Sequence, residues 1–285
     1  MLNKISIIGG DLRIVTLVEM LKKDGIFVYT YGLENSEINY GIECSSLEEA
    51  VSESEIVIAP IPLSSDGETI NAPFSKEKIK LSELIEKLNG KTFIAGAIKQ
   101  DILKKLEEKN VKVIDLLKRE ELAVLNAIST AEGAIKIAIE ETNKTLHNNN
   151  ILVMGFGRIG KILSHMLKGM GANVYCEARK NADLAWIKAY GYVPIHLNNL
   201  NENLDKFDVI INTIPYVVLD KTNLGKVKRD AVLIDLASNP GGIDRAEVKK
   251  QKLKFIWALS LPGKVAPVTS AEFIKDTLYN VLKEM

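Results

Sequence analysis

The chain carries no excess charge of either sign: 37 lysines and arginines stand against 37 aspartates and glutamates. Without a net field there is nothing to hold a nucleic acid or an anionic membrane, so the expected partners are small molecules or another protein. Cysteine is scarce as well. Cys44 and Cys176 make no C-x-x-C or zinc-type spacing and no cluster of other ligands accompanies them, so no metal site is expected and a reduced, cytoplasmic setting fits. The three histidines, His147, His165 and His196, have no acid partner visible in the sequence, which argues against the His–acid pair of many dehydrogenases. Met1 to Gly10 lacks the apolar run of a signal or spanning segment, so nothing argues for export.

What the chain does have is apolar material for two cores. With 285 residues, 46% of them hydrophobic, and domains of about 100–200 residues as the common size, two domains are expected. The organising stretch is Asn150 to Gly160. An apolar run ends at Met154, then Gly155, Phe156, Gly157, Arg158, Ile159 and Gly160 spell G-x-G-x-x-G, and Ile159, Leu163, Met166, Leu167 and Met170 follow at helical spacing. The residue types suit a dinucleotide. Gly155 allows a sharp turn off the strand, Gly157 lets a pyrophosphate approach the backbone, Gly160 lets helix and strand pack closely, and N–H groups at the helix start face the anion.

Strands at 151–154, 173–177, 193–195, 208–213, 232–236 and 255–259, separated by helical or turn segments, complete a Rossmann order. Glu177 lies about 20 residues beyond the glycines, where an acid takes the ribose 2′-hydroxyl of NAD, but Arg179 and Lys180 follow and suit the 2′-phosphate of NADP. The two cations favour NADP, with NAD possible. Thr213, Ile214 and Pro215, and Ala237 with Ser238, end strands at the mouth of the nucleotide site. Pro262 and Lys264 belong to a loop placed to enter it.

The first part of the chain reads as a worn copy of the second. Glu55 to Pro62 (EIVIAPIP) parallels Asp208 to Pro215 (DVIINTIP), and Ile7-Ile8-Gly9-Gly10 parallels Val153-Met154-Gly155-Phe156. Aligning Gly9 with Gly155 puts Asp11 where Gly157 stands, setting a carboxylate against a pyrophosphate, and Ile14 where Gly160 stands. The first domain is therefore expected to hold substrate. Its loop from Leu63 to Ser75, which includes Ser64, follows a central strand end, the usual place for a ligand in an open α/β sheet. A long helical stretch from Glu121 to His147 joins the domains. In it Ser129 and Glu132 have capping-box spacing, which predicts a helix restart after a break near Ile128 and assigns Glu132 to the cap in preference to general-base work. Asn126, Ser129 and Thr130 offer short polar groups at the junction. A second capping box, Thr269 with Glu272, is expected to open the terminal helix.

The predicted fold is α/β: two Rossmann-like domains of parallel sheets flanked by helices, over 1–120 and 148–267. An interdomain helix over 121–147 joins them, and a C-terminal helix over 268–285 returns to the first domain.

Six motifs in this order carry a resemblance. They are Gly9-Gly10-Asp11-x-Arg13, Thr130-x-Glu132-Gly133, Gly155 to Gly160, Asn212 to Pro215, Asp235 to Gly242 (DLASNPGG), and Leu261 to Pro267 (LPGKVAP). Together they resemble the family of dipicolinate synthase A-type subunits over nearly the whole chain. The resemblance implies a two-domain oxidoreductase of sporulating bacteria, acting in the mother-cell cytoplasm. It would oxidise dihydrodipicolinate to dipicolinate with NADP, in company with the flavoprotein-like B-type subunit of the synthase. It assigns no catalytic residue. Glu177 is a departure, since a smaller residue there would suit a 2′-phosphate better.

Making a pyridine from a dihydropyridine removes a hydride and a proton and gains aromaticity, so a strong base is not required and orientation matters most. Donors for two carboxylates are Arg13 first, for its planar fork, then the Gly9–Gly10 backbone beside Asp11, Ser64, Asn126, Ser129, Thr130 and Lys264. Two alternatives stay open: a nicotinamide dehydrogenase of a 2-hydroxy or amino acid, and a nucleotide-binding regulatory protein with no chemistry of its own. A homo-oligomer is also open.

Overall fold

The computed structural model describes residues 4–37 and 40–285. The chain divides into two compact units, Met1–Leu125 with Ala266–Met285, and Asn126–Val265.

The first unit is a six-stranded sheet of β1 (Lys4–Ile8), β2 (Phe27–Tyr31), β3 (Ile42–Glu43), β4 (Ile56–Ile58), β5 (Thr92–Ala95) and β6 (Lys112–Asp115). The strands lie in the order β3-β2-β1-β4-β5-β6, all parallel. Helices α1 (Leu12–Lys23), α2 (Leu47–Ser52), α3 (Leu81–Lys87) and α4 (Gln100–Glu107) connect them, and α5 (Glu120–Glu141) carries the chain into the second unit. Alternation along β1 feeds two cores: Ile5 and Ile7 pack with Ile14, Leu17 and Leu21 of α1, while Ile8 joins Val57, Leu84 and Phe93 on the other face. The sequence reading missed β3, whose two exposed residues carry no apolar pattern.

The second unit repeats the plan. Its strands are β7 (Asn150–Met154), β8 (Asn173–Ala178), β9 (Val193–His196), β10 (Val209–Asn212), β11 (Val232–Asp235) and β12 (Lys254–Trp257). They run parallel in the order β12-β11-β10-β7-β8-β9, with α6 (Arg158–Gly169), α7 (Asn181–Ala189), α8 (Arg245–Gln251) and α9 (Leu261–Val265). Counted from each unit's own first strand, both sheets have the 3-2-1-4-5-6 order of a dinucleotide-binding fold. That order places a crevice beyond the carboxyl end of the first strand, where the order reverses.

The last helix, α10 (Pro267–Glu284), belongs to the first unit. Its Ile274, Leu278 and Val281 pack in the α1 core, and Asp24 at the end of α1 accepts hydrogen bonds from the Tyr279 hydroxyl at 2.5 Å and Lys275 Nζ at 3.0 Å. The Tyr279 hydroxyl above all, then Lys275, holds the Asp24 carboxyl below its ordinary range.

Three helix expectations need correction. No break occurs near Ile128: α5 is continuous, and the Thr130 hydroxyl donates to the carbonyl of Asn126 at 2.8 Å, a mid-helix back-bond that leaves Ser129 no N-cap to serve. The same helix ends at Glu141, not His147, and a polar turn from Thr142 to Asn149 follows. Helix α10 opens on Ala266 with Pro267 in its first turn, so Thr269 and Glu272 already lie inside it and cap nothing. By length and composition α5 is apolar enough to cross a membrane, but here Ala131, Ala134 and Ala138 are buried in the second unit's core.

Candidate functional site

The three glycines of the β7–α6 turn have distinct tasks. Gly155 has φ +88°, and a Cβ on it would lie 2.6 Å from Thr213 Oγ1 and 2.9 Å from Ile214. A Cβ on Gly160 would fall on the carbonyl oxygen of Gly155, so helix and strand approach too closely for any side chain. A Cβ on Gly157 would meet nothing within 4 Å. Two of the glycines are required by the fold, whereas the third guards open space. Helix α6 begins at that space with no side-chain cap on Gly157, so the positive end of its dipole faces it. Phe156 between them is buried against Tyr190 and Tyr192, with ring centroids 6.3 and 6.5 Å away, which anchors the turn.

At the end of β8, Glu177 and Ala178 point to opposite sides because side chains alternate along a strand. Glu177 is 1% exposed, and its Oε2 accepts the N–H of Gly155 at 3.2 Å while Oε1 has no partner among the described residues. Burial pushes its carboxyl pKa up, against the opposing pull of the Gly155 N–H, Arg179 and His196. The strand's final residue is the small Ala178, and Arg179 and Lys180 follow it, both exposed.

The neighbouring strand ends are fixed by hydrogen bonds. The Thr213 hydroxyl donates to the Met154 carbonyl at 2.8 Å, and Ile214 N–H to Asn212 Oδ1 at 3.1 Å, with Pro215 exposed beyond them. Buried Asn212 donates to Asp235 Oδ1 at 2.7 Å, and Asp235 also accepts from the N–H groups of Ala237 at 3.0 Å and Gly242 at 2.7 Å. This network, which the sequence reading did not single out, folds the loop carrying Ala237 and Ser238. Trp257 Nε1 adds a bond to the Ala237 carbonyl at 2.9 Å. Pro262 and exposed Lys264 belong to α9, which packs closely at Gly133 of α5, where a Cβ would lie 3.1 Å from Leu261. One to two turns earlier on α5 come Asn126, whose buried Oδ1 has no partner among the described residues, buried Ser129 and half-buried Thr130. Glu132 is exposed.

In the first unit the equivalent turn packs its first glycine as tightly as Gly155 but carries Asp11 where the second unit has Gly157. Gly9 and Gly10 keep positive φ, +66° and +123°, but a Cβ on Gly9 would lie 2.8 Å from the Cβ of Ala72 and 3.1 Å from Ile70, both on the loop after β4. Asp11 caps α1 through the Arg13 N–H at 3.1 Å, and buried Arg13 grips the Asp11 carboxylate, Nε at 3.0 Å and Nη2 at 2.8 Å. Nη2 also donates to the carbonyl of Ile61. The edge of the guanidinium that suits a ligand carboxylate thus holds a carboxylate of the chain itself. Ser64 works inside its loop: its hydroxyl donates to Asp66 at 3.0 Å and accepts the N–H of Gly67 at 2.8 Å. Asp66, bonded by the N–H groups of Thr69 and Glu68, is held well below the ordinary carboxylate range. No group of three or more His, Cys, Asp and Glu side chains is placed to hold a metal among the described residues.

Comparison with known proteins agrees with this division. Residues 4–117 match the family model for the N-terminal domain of the dipicolinate synthase A-type polypeptide, and residues 126–245 match that for the D-isomer specific 2-hydroxyacid dehydrogenase NAD binding domain. The dipicolinate synthase A-type polypeptide of Bacillus subtilis is 31% identical, with 99% of this chain and 96% of that protein aligned. The chain belongs to the family of dipicolinate synthase A-type subunits. Solved structures of two family members superpose over its length. That from Bacillus halodurans gives a TM-score of 0.91 at 29% identity over 99% of both chains, and that from Bacillus subtilis 0.89 at 30%, over 100% of this chain and 97% of the other. A transhydrogenase from Sinorhizobium meliloti shares the fold, with a TM-score of 0.74 at 18% identity. As a member of this family with a matched NAD-binding unit, the protein is a nicotinamide-dependent oxidoreductase.

Proposed function

We propose that the protein oxidises dihydrodipicolinate to dipicolinate with NADP, as the A-type member of a two-subunit synthase that also contains a flavoprotein-like B-type member, in the cytoplasm of a sporulating mother cell. The observation that carries this reading is the contrast between the two turns. At the start of α6 Gly157 leaves open space, whereas its equivalent Asp11 sets a carboxylate on the start of α1, in the unit that matches the family's own N-terminal domain. A unit that sets its own carboxylate where a diphosphate would lie is suited to substrate.

The preference for NADP is supported by what flanks Ala178. Glu177 is turned inward onto Gly155, and the exposed cations Arg179 and Lys180 stand where a 2′-phosphate would be held. Gly155, Phe156, Gly157, Arg158, Ile159 and Gly160 would hold the diphosphate. Thr213, Ile214, Pro215, Ala237, Ser238 and Pro262 would flank the ribose and nicotinamide, which supplies the hydride acceptor when bound.

For the substrate, Gly9, Gly10 and Asp11 form a turn braced by Arg13. Asn126, Ser129 and Lys264 are the further donors for two carboxylates, and Ser64 and Thr130 would join them only by turning from Asp66 and from the Asn126 carbonyl. Loss of one hydride and one proton gives the aromatic ring, dihydrodipicolinate and NADP+ yielding dipicolinate, NADPH and a proton. Aromaticity drives the step, so these groups orient and need not abstract a proton with a strong base.

The test is turnover of purified protein with the B-type polypeptide, NADP and dihydrodipicolinate, followed by the ultraviolet absorbance of the pyridine product. Product formation dependent on NADP supports the reading. Nucleotide binding with no product from any mixture would instead favour a regulatory role.

A further inference from the structure

We infer that two copies of this chain associate through the face of the second unit formed by α5, α6 and α7, about a two-fold axis running along α6. The three helices cover one side of the sheet: Ala134 and Ala138 of α5, Leu163 and Leu167 of α6 and Ile187 of α7 share a core with the strands beneath them. Their outward sides should then be polar. Instead Ile139 is 53% exposed, Trp186 54%, Tyr190 52% and Met170, at the end of α6, 38%. Large apolar groups gathered on one face mark an interaction surface, and tryptophan, tyrosine and methionine are the types that interface centres favour.

The two edges of this face differ in the way that self-association requires. On the α5 edge lies a cleft of about 460 Å³, with Ile135, Ile139 and Met170 as apolar walls and the exposed Glu132, Lys136 and Glu140 at its rim. Lys136 is tied to Glu140 at 3.8 Å, which leaves Glu132 with no cation among the described residues. On the α7 edge Trp186 and Tyr190 stack on each other, centroids 5.4 Å apart and planes inclined by 26°, as an exposed aromatic ridge. Beside it the exposed Lys161 and His165 border a second cleft, of about 280 Å³. Helix α6 itself carries Arg158, Lys161 and Lys168 and no acid.

A two-fold contact sets each feature of one chain against what lies across the axis in the other, so the two edges have to match. Rotation about α6 lays the α5 edge of one copy over the α7 edge of the other. Glu132 then meets Lys161 and His165, and the Trp186–Tyr190 ridge enters the apolar cleft, each contact occurring twice. A partner of different sequence requires neither correspondence. The same geometry gives a task to Glu132, whose capping-box spacing serves no helix start because α5 is continuous through it.

Sedimentation equilibrium of the full chain across the micromolar range tests the face. The parent is expected at twice the mass of one chain. Ile139→Glu and Trp186→Ala, both at exposed positions, should keep the parent's far-ultraviolet circular dichroism and raise the dimer dissociation constant about tenfold or more. Glu132→Lys and Lys161→Glu should each weaken the dimer, and the two together should restore it, a rescue that general destabilisation does not produce. A double variant that stays dissociated would overturn the axis along α6. A parent that is monomeric throughout, or a dimer indifferent to both Ile139→Glu and Trp186→Ala, would overturn the interface. A monomeric parent whose binding to the B-type polypeptide is weakened by those two substitutions would assign the face to that subunit and overturn self-association.

Discussion

Glu177 accepts the N–H of Gly155 with one carboxyl oxygen and leaves the other buried without a partner among the described residues. An acid at the end of the second strand usually faces outward to a ribose; here it underpins the first glycine of the turn. Its pKa is raised by burial, so the folded state binds its proton more tightly than the unfolded chain does. Stability therefore falls as pH rises from about 4.3, where an unfolded glutamate titrates, through the higher pKa of the folded state.

Glu177→Gln removes that penalty and can keep an acceptor for Gly155. Thermal melts should show the variant more stable than the parent at pH 7, with the difference shrinking toward zero near pH 4. A variant less stable than the parent at pH 7 would mean that the charged carboxylate is a net support.

Gly157 and Gly160 should separate binding from folding. A Cβ at Gly157 enters open space, so Gly157→Ala should reduce stability by no more than about 1 kcal/mol yet weaken NADP about tenfold or more by blocking charge-assisted contacts to the diphosphate. Gly160→Ala drives a methyl into the Gly155 carbonyl and should destabilise by about 3 kcal/mol or more. Denaturant melts and titrations on both variants check the pair; unimpaired binding by folded Gly157→Ala would remove the diphosphate from that space.

Arg13→Ala should raise the substrate KM by about tenfold, as expected for loss of a charge-assisted contact or of the turn that positions it, with nucleotide affinity unchanged. The stability loss should stay at about 1–2 kcal/mol, because Asp11 is partly exposed and can hydrate once its partner is gone. Arg13→Lys should not restore the KM, since an ammonium cannot reproduce the fork that joins Asp11 to Ile61. Unchanged KM and kcat in Arg13→Ala would take this arginine out of the substrate site.

Arg179→Ala should weaken NADP by a larger factor than NAD. The excess, about tenfold, measures the 2′-phosphate contact. Equal losses for the two nucleotides would contradict a phosphate clamp.

Much of the fold was legible because period and punctuation agree. Ile5, Ile7 and Ile8, or Ile151 to Met154, are buried runs ending at glycine, and such runs have few alternatives to a central parallel strand. The repeated sheet order likewise shows in the paired strings that end at Pro62 and Pro215. Less legible was anything decided by the local choice of partner. Thr130 and Ser129 look like a cap until the carbonyl of Asn126 is available to the threonine hydroxyl, and spacing alone cannot choose between the two. Glu177 could be counted to the right place, but which way it faces depends on strand phase at the last two residues of β8. Asn212 and Asp235 stand within recognisable motifs, yet their bond across neighbouring strands is a matter of register.

The first unit is discontinuous in sequence: α10 docks on α1 only after all of Asn126–Val265 has intervened. On the ribosome, the nucleotide-binding half can therefore fold as one uninterrupted segment, while the other half waits for its last helix to emerge. The Asp24–Tyr279 bond is in that sense a latch set only after Asn126–Val265 has been made, and it makes the first unit the later of the two to mature.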